Sequence, residues 1–170
     1  MTQKQLIKLI NPLHEEAYIW AKQCVAGNAD NAAEILQIVY LKILEGKAQF
    51  GGKSSLKTWL FSIIRYTSLD YLKSQKVSLE STIVDIATVD IAIDSEQVTC
   101  LDYKHLLDQL SDKQNQVLLL VFYHDMTLEE VAKTLSISIG TTRQHYARGK
   151  KRMKELIIKE SGITNKKHYA

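Results

Sequence analysis

Residues 111–153 read SDKQNQVLLLVFYHDMTLEEVAKTLSISIGTTRQHYARGKKRM, and this stretch decides the fold. Ser111-Asp112-Lys113-Gln114 has the form of a capping box, with a hydroxyl at the cap and a Gln three residues on to return the hydrogen bond. The apolar run Val117, Leu118, Leu120 and Val121 follows at helical spacing. Thr127-Leu128-Glu129-Glu130 is a second capping box, opening a short helix with Leu128, Val131, Ala132 and Leu135 on one face. A polar turn, Ser136-Ile137-Ser138, leads to a third helix that Ser138 is placed to cap. The pattern predicts a helix-turn-helix, with the small Ala132 where two helices must cross closely.

The third helix divides its faces. Thr142, Tyr146, Gly149 and Met153 fall on one side, while Arg143, Gln144, Arg148, Lys151 and Arg152 lie on or beside the other. From Ile139 to Lys154 there are six Lys or Arg and no acid. A solvated helix face usually mixes signs, so this one predicts DNA contact. Lys and Arg would meet phosphates, and Thr141, Arg143 and Gln144 near the helix start would reach base edges in the major groove.

The net charge of +3 over 170 residues hides a segregation. Residues 1–76 carry 10 basic and 6 acidic side chains, residues 77–102 carry 6 acids and no base, and residues 103–170 carry 12 basic and 7 acidic. Two basic modules therefore flank an acidic connector, VSLESTIVDIATVDIAIDSEQVTCLD, which is read as mostly extended for want of a helical repeat in its first half. One Pro and seven Gly argue for helices throughout. The expected fold is all-α: two small helical domains, an N-terminal bundle (1–76) and a C-terminal helix-turn-helix domain (103–170), joined by the linker 77–102. No apolar run is long enough to span a membrane, and the start has no signal-peptide core, so a cytoplasmic protein is expected. Cys24 and Cys100 read as buried free thiols, the five scattered His make no ligand pair, and the tail Ser161 to Ala170 reads as disordered. No metal site, cofactor or catalytic set is expected, so the chain does not read as an enzyme.

In the N-terminal module, helices are predicted from Glu15 to Val25, from Ala29 to Leu44, and after a cap at Ser54 or Ser55. The second has apolar residues on more than one face, which fits either a central bundle helix or a partner-binding surface. The third carries a core stripe of Leu56, Trp59, Leu60, Ile63, Ile64 and Thr67. Lys53, Lys57, Arg65, Lys73 and Lys76 interleave there with Trp59, Phe61, Tyr66 and Tyr71. Basic side chains among aromatics suit single-stranded nucleic acid, although Trp59 at an apolar position is more often core than a stacking platform.

These residues resemble a known family. Phe50-Gly51-Gly52-Lys53-Ser54-Ser55-Leu56-Lys57-Thr58-Trp59-Leu60, continuing to Asp70-Tyr71-Leu72-Lys73, is similar to the Phe-Arg-Gly-Glu-Ser-Ser-Leu-Arg-Thr-Trp-Leu … Asp-Tyr-Leu-Arg signature of bacterial sigma factors of the extracytoplasmic-function (ECF) type. Leu110 to Arg152 resembles the domain of that family that reads the −35 element. The resemblance implies an alternative sigma factor that binds core RNA polymerase and directs it to promoter DNA. It implies that Phe50, Gly51, Gly52, Lys53, Ser54, Ser55, Lys57, Trp59, Arg65, Tyr66 and Lys73 handle the melted −10 strand, holding a flipped base. Gly140, Thr141, Arg143, Gln144, His145, Arg148 and Lys151 would serve the −35 element, and Glu34, Ile35, Gln37, Ile38, Tyr40 and Leu41 the polymerase. The acidic linker would thread toward the polymerase cleft, and an anti-sigma factor is a common partner in the family.

The chain departs from the family pattern at several positions. Asn31, Ala33 and Ile38 stand where acids are usual, leaving Glu34 alone; Lys53 replaces Glu, Tyr66 replaces Asn, and Ser136 replaces the common turn Gly. Gln144-His145-Tyr146 replaces the usual Ser-Arg-Leu, so promoter preference is expected to be unusual. Two other classes stand behind this reading. One is a free-standing helix-turn-helix repressor or activator with a sensing or dimerising domain. The other is a nucleic-acid-processing enzyme with a helix-turn-helix tether, for which no carboxylate cluster exists to hold a metal.

Overall fold

The computed structural model describes residues 2–80 and 104–161, and every element among them is helical. Most of the linker, Cys100 and the tail 162–170 lie outside the described residues. Two compact units form among the described residues, 2–80 with 132–136 and 104–131 with 137–161.

The first unit holds α1 (Gln3–Ile10), a 3-10 turn (Asn11–Leu13), α2 (His14–Cys24), α3 (Ala29–Leu44) and α4 (Leu56–Glu80). Helices α2, α3 and α4 pack against one another, and α1 lies against α3 and α4. The sequence predicted no element before Glu15, yet Thr2 and Gln5 make a full capping box that starts α1. Helix α4 also runs three residues beyond Val77, past the start expected for the linker. Asn28 caps α3 by accepting the Asn31 N–H at 2.9 Å. Ser55 caps α4 by accepting the Thr58 N–H at 3.2 Å.

Ala32, Ile35, Leu36, Val39 and Ile43 form one buried stripe on α3, facing Trp20, Leu60, Phe61 and Ile64 in the core. The Trp20 indole stacks on Phe61 with ring centroids 5.8 Å apart, and its N–H donates to the Phe61 carbonyl at 3.1 Å. The surplus apolar residues of α3 remain outside: Leu41 is 55% exposed and Leu44 is 51% exposed. Helix α3 is thus both a bundle helix and the owner of an apolar outer surface.

The turn after α2 forces Ala26 into the left-handed region, at φ +53°. A Cβ there costs about 1–2 kcal/mol, against about 0.4–1 kcal/mol of extra unfolded-state entropy for glycine. Ala26→Gly is therefore expected to raise stability by about 0.5–1 kcal/mol, read as a higher urea midpoint. A lower midpoint would contradict strain at this turn.

The second unit contains α5 (Lys104–Leu107), α6 (Asp112–Leu118), a π-helical segment (Leu119–Tyr123), α7 (Leu128–Leu135), whose last four residues group with the first unit, and α8 (Ile139–Glu160). Leu106, Leu110, Leu118 and Leu156 make a buried cluster, with Leu107, Tyr146, Met153 and Ile157 packed against it. Helices α6 and α8 cross at Gly149, where a Cβ would come 3.3 Å from the Leu118 side chain and 3.4 Å from Gln114 Cβ. The Thr127–Glu130 capping box opens α7: Thr127 N–H donates to Glu130 Oε2 at 3.0 Å, and Glu130 N–H donates to Thr127 Oγ1 at 3.2 Å. Ser136 takes φ +52°, the conformation that explains why glycine is favoured in such a turn.

Candidate nucleic-acid interface

The loop before α4 is built onto the helix that follows it. Phe50 packs edge-on against Trp59 with centroids 5.4 Å apart, and the Trp59 indole N–H donates to the Gln49 carbonyl at 3.1 Å. Between these anchors Gly51, Gly52 and Lys53 are exposed. Gly52 has φ +70°, and a Cβ at either glycine would meet no atom within 4 Å. The result is an open, pinned loop next to a partly exposed indole, a geometry suited to stacking a base.

Trp59, Tyr66 and Lys73 follow at intervals of seven, which keeps them near one side of α4 over about 21 Å. Tyr66 is 47% exposed, and Lys73 is exposed. Ser54 and Ser55 stand at the start of this track, with Ser55 spent on the helix cap. Two residues expected beside them are placed differently. Lys57 makes an ion pair with Glu16 of α2 and lies 5.6 Å over the Phe61 ring, so its charge ties α4 to α2. Arg65 is buried at 7% exposure, and its charge lies close enough to Cys24 to act on it. Cys24 is half-buried, less than the sequence suggests; desolvation pushes its thiol up to about 12, opposed by the Arg65 charge and a hydrogen bond with Ser68, so the thiol is protonated at neutral pH.

The start of α8 carries the second cluster. Ser138 accepts the Thr141 N–H at 3.0 Å, and the buried Thr142 hydroxyl donates to the Ser138 carbonyl at 3.0 Å. That pair of bonds fixes the helix entry. Gly140, Arg143, Gln144, Arg148 and Lys151 are exposed, Thr141 and His145 half-buried, and Thr142 and Gly149 buried, matching the division of faces read from the sequence. Arg143 lies 3.7 Å from Glu129 of α7, an exposed pair too weak to withhold the guanidinium from a stronger anion.

On α3 the six residues expected to face a polymerase separate. Glu34, Gln37 and Leu41 are exposed, Ile38 and Tyr40 half-buried, and Ile35 is fully buried in the core. The Tyr40 hydroxyl pairs with His14 Nδ1 at 2.8 Å. The Tyr71 hydroxyl donates to Glu34 at 2.7 Å, and that bond holds it above the ordinary tyrosine range, so the link survives neutral pH.

Sequence reasoning missed an apolar groove of about 890 Å³ on the second unit, floored by Leu107, Leu118, Met153 and Ile157, with Lys150, Lys151 and Lys154 at its edge. The wide π turn puts Phe122 at 62% and Tyr123 at 57% exposure beside it. Nothing in the run LLLVFYHD distinguishes these aromatics from core residues. Among the described residues no helix is long and apolar enough to cross a membrane.

The sigma-70 region 2 family matches residues 9–77, and the sigma-70 region 4 family matches residues 106–155. Over 155 residues the chain is 28% identical to the ECF RNA polymerase sigma factor SigX of Bacillus subtilis (strain 168), covering 84% of this chain and 78% of SigX. The chain belongs to the ECF sigma factors of the sigma-70 family. This sigma factor is also 25% identical over 135 residues to the RNA polymerase sigma factor SigV of the same organism, covering 78% of this chain and 80% of SigV. Its fold is similar to that of the sigma factor RpoE solved with the anti-sigma factor NepR from Bartonella quintana. That likeness has a TM-score of 0.69 and 24% identity, and covers 91% of this chain and 95% of RpoE. The loop–α4 track lies inside the region 2 match, and the α8 face lies inside the region 4 match.

Proposed function

We propose that this sigma factor binds core RNA polymerase in the cytoplasm and directs it to promoters for transcription initiation, with no catalytic step of its own. The observation that carries the proposal is the presence, in one chain, of a pinned glycine loop continuing into an aromatic and basic track along α4, and of an exposed basic face at the start of α8. In this proposal residues 1–76 hold the polymerase and the melted −10 strand, 77–102 form the linker, and 103–170 read the −35 element. The strand contacts are Phe50, Gly51, Gly52, Lys53, Trp59, Tyr66 and Lys73; the buried Arg65 and the paired Lys57 support the helix that carries them. The −35 contacts are Gly140, Thr141, Arg143, Gln144, His145, Arg148 and Lys151. The polymerase contacts are Glu34, Gln37, Ile38, Tyr40 and Leu41, with Ile35 supporting them from the core. An anti-sigma partner is proposed by analogy with the RpoE–NepR complex.

Run-off transcription with purified core polymerase on a genomic promoter library tests the whole. Specific start sites are expected only when the protein and core are combined. Tight, sequence-specific binding by the protein alone, with no start sites in the presence of core, would establish a free-standing repressor or activator instead. Within the same assay, Arg143→Ala is expected to cost about 1–3 kcal/mol on the preferred −35 sequence and to flatten discrimination among −35 variants. An equal loss on every template would reduce Arg143 to a phosphate contact.

A further inference from the structure

We propose that Tyr71 is the positioning residue of the polymerase-docking face, holding the Glu34 carboxylate of α3 in its binding orientation from the neighbouring helix. This inference rests on the reading of α3 as the surface that meets core polymerase. Three side chains from two helices converge on the Tyr71 hydroxyl. Tyr71 donates to Glu34 Oε2 at 2.7 Å, Gln75 Nε2 donates to the Tyr71 oxygen at 2.9 Å, and Asn31 Oδ1 lies 3.2 Å away. Asn31 and Glu34 sit one turn apart on α3, and Tyr71 and Gln75 one turn apart on α4.

The chemistry favours a device for presenting a charge. Of positions 31, 33, 34 and 38, Glu34 alone is acidic. A free surface glutamate samples many rotamers, and ordering it on binding weakens association. A donor hydroxyl on one carboxylate oxygen removes much of that freedom beforehand, and charge assistance makes the bond stronger than a neutral one. Gln75 in turn orients the Tyr71 hydroxyl by occupying its acceptor side. The carboxylate itself remains exposed, so its second oxygen stays available to a cationic group on the partner. Helix α3 meets α4 through this cluster on the outside and through the core stripe on the inside, so the orientation of Glu34 is referred to the rigid part of the bundle.

The test measures affinity of the full chain for core polymerase with Tyr71→Phe, Glu34→Gln and the double variant, alongside Leu41→Glu and thermal melts of each. Tyr71→Phe is expected to weaken binding about fivefold in the wild-type background and less than about twofold when Glu34 is already Gln. The same loss in both backgrounds would assign Tyr71 a merely structural part and overturn the inference, as would no loss in either. Leu41 lies seven residues, about two turns, from Glu34 along α3, so Leu41→Glu reports on the docking reading separately. If Leu41→Glu abolishes binding while Tyr71→Phe does nothing, the inference alone fails. If Leu41→Glu and Glu34→Gln both leave affinity unchanged, α3 is not the docking face, and reading and inference fall together.

Discussion

Trp20→Ala is expected to destabilise the first unit by about 3–5 kcal/mol, a large share of the roughly 5–15 kcal/mol that holds a domain together. Trp20 is 0% exposed on α2 and stacks on Phe61 of α4, so truncation leaves a cavity beside that ring that the bundle cannot close without moving a helix. Two further losses add to the cavity. The stacked contact with Phe61, at 7° between ring planes, disappears, and so does the indole donor to the Phe61 carbonyl. Trp20→Phe separates these effects: it keeps an aromatic ring and removes the N–H, for an expected cost of about 1–2 kcal/mol. Chemical denaturation followed by far-ultraviolet circular dichroism measures both. A cost below about 1 kcal/mol for Trp20→Ala would mean that the core relaxes around the missing indole, contrary to its packing here. Function should follow stability, with core-dependent transcription failing at temperatures the native protein tolerates.

Gly149→Leu is the second large effect, and its sign comes from two opposed terms. Replacing a helix-interior glycine by a better helix former returns about 1 kcal/mol. Against this, the added atoms enter space held by Leu118 and Gln114, at 3.3 and 3.4 Å from the Cβ position itself. For Gly149→Ala the two terms nearly cancel, because the Leu118 side chain must give way by only a few tenths of an ångström. For Leu the three extra carbons cannot be housed, and overpacking of this kind costs about 1–3 kcal/mol or more. Prying α8 from α6 also swings the face carrying Arg143, Gln144 and Arg148, so discrimination among −35 sequences should drop even where the protein remains folded. Melting temperature and competition binding in the holoenzyme are the measurements. A Leu variant with native melting and native −35 preference would show that the crossing tolerates a wider separation.

Much of the architecture was legible because its signals are local. A capping bond closes within three residues, so Thr127 with Glu130 and Ser138 with Thr141 announce helix starts from the sequence. The division of α8 into Thr142 and Gly149 inside and Arg143, Gln144 and Arg148 outside is likewise a matter of helical period. The α1 helix carries the same signal in Thr2 and Gln5, but its eight residues are little more than two turns, too few for the helical period to stand out.

What the sequence by itself determined is the helical content, the order of the two helical modules, and the exposed basic surface of α8, since each depends on neighbours within one or two turns. Only the tertiary structure decided which charges are available. Lys57 and Glu16 are 41 positions apart and paired, Arg65 is closed in beside Cys24, Ile35 belongs to the core, and Glu34 is held by Tyr71 from another helix. Helical period says which way a side chain points along its own axis. What waits for it there depends on the helix packed against that face, and long-range packing alone supplies that.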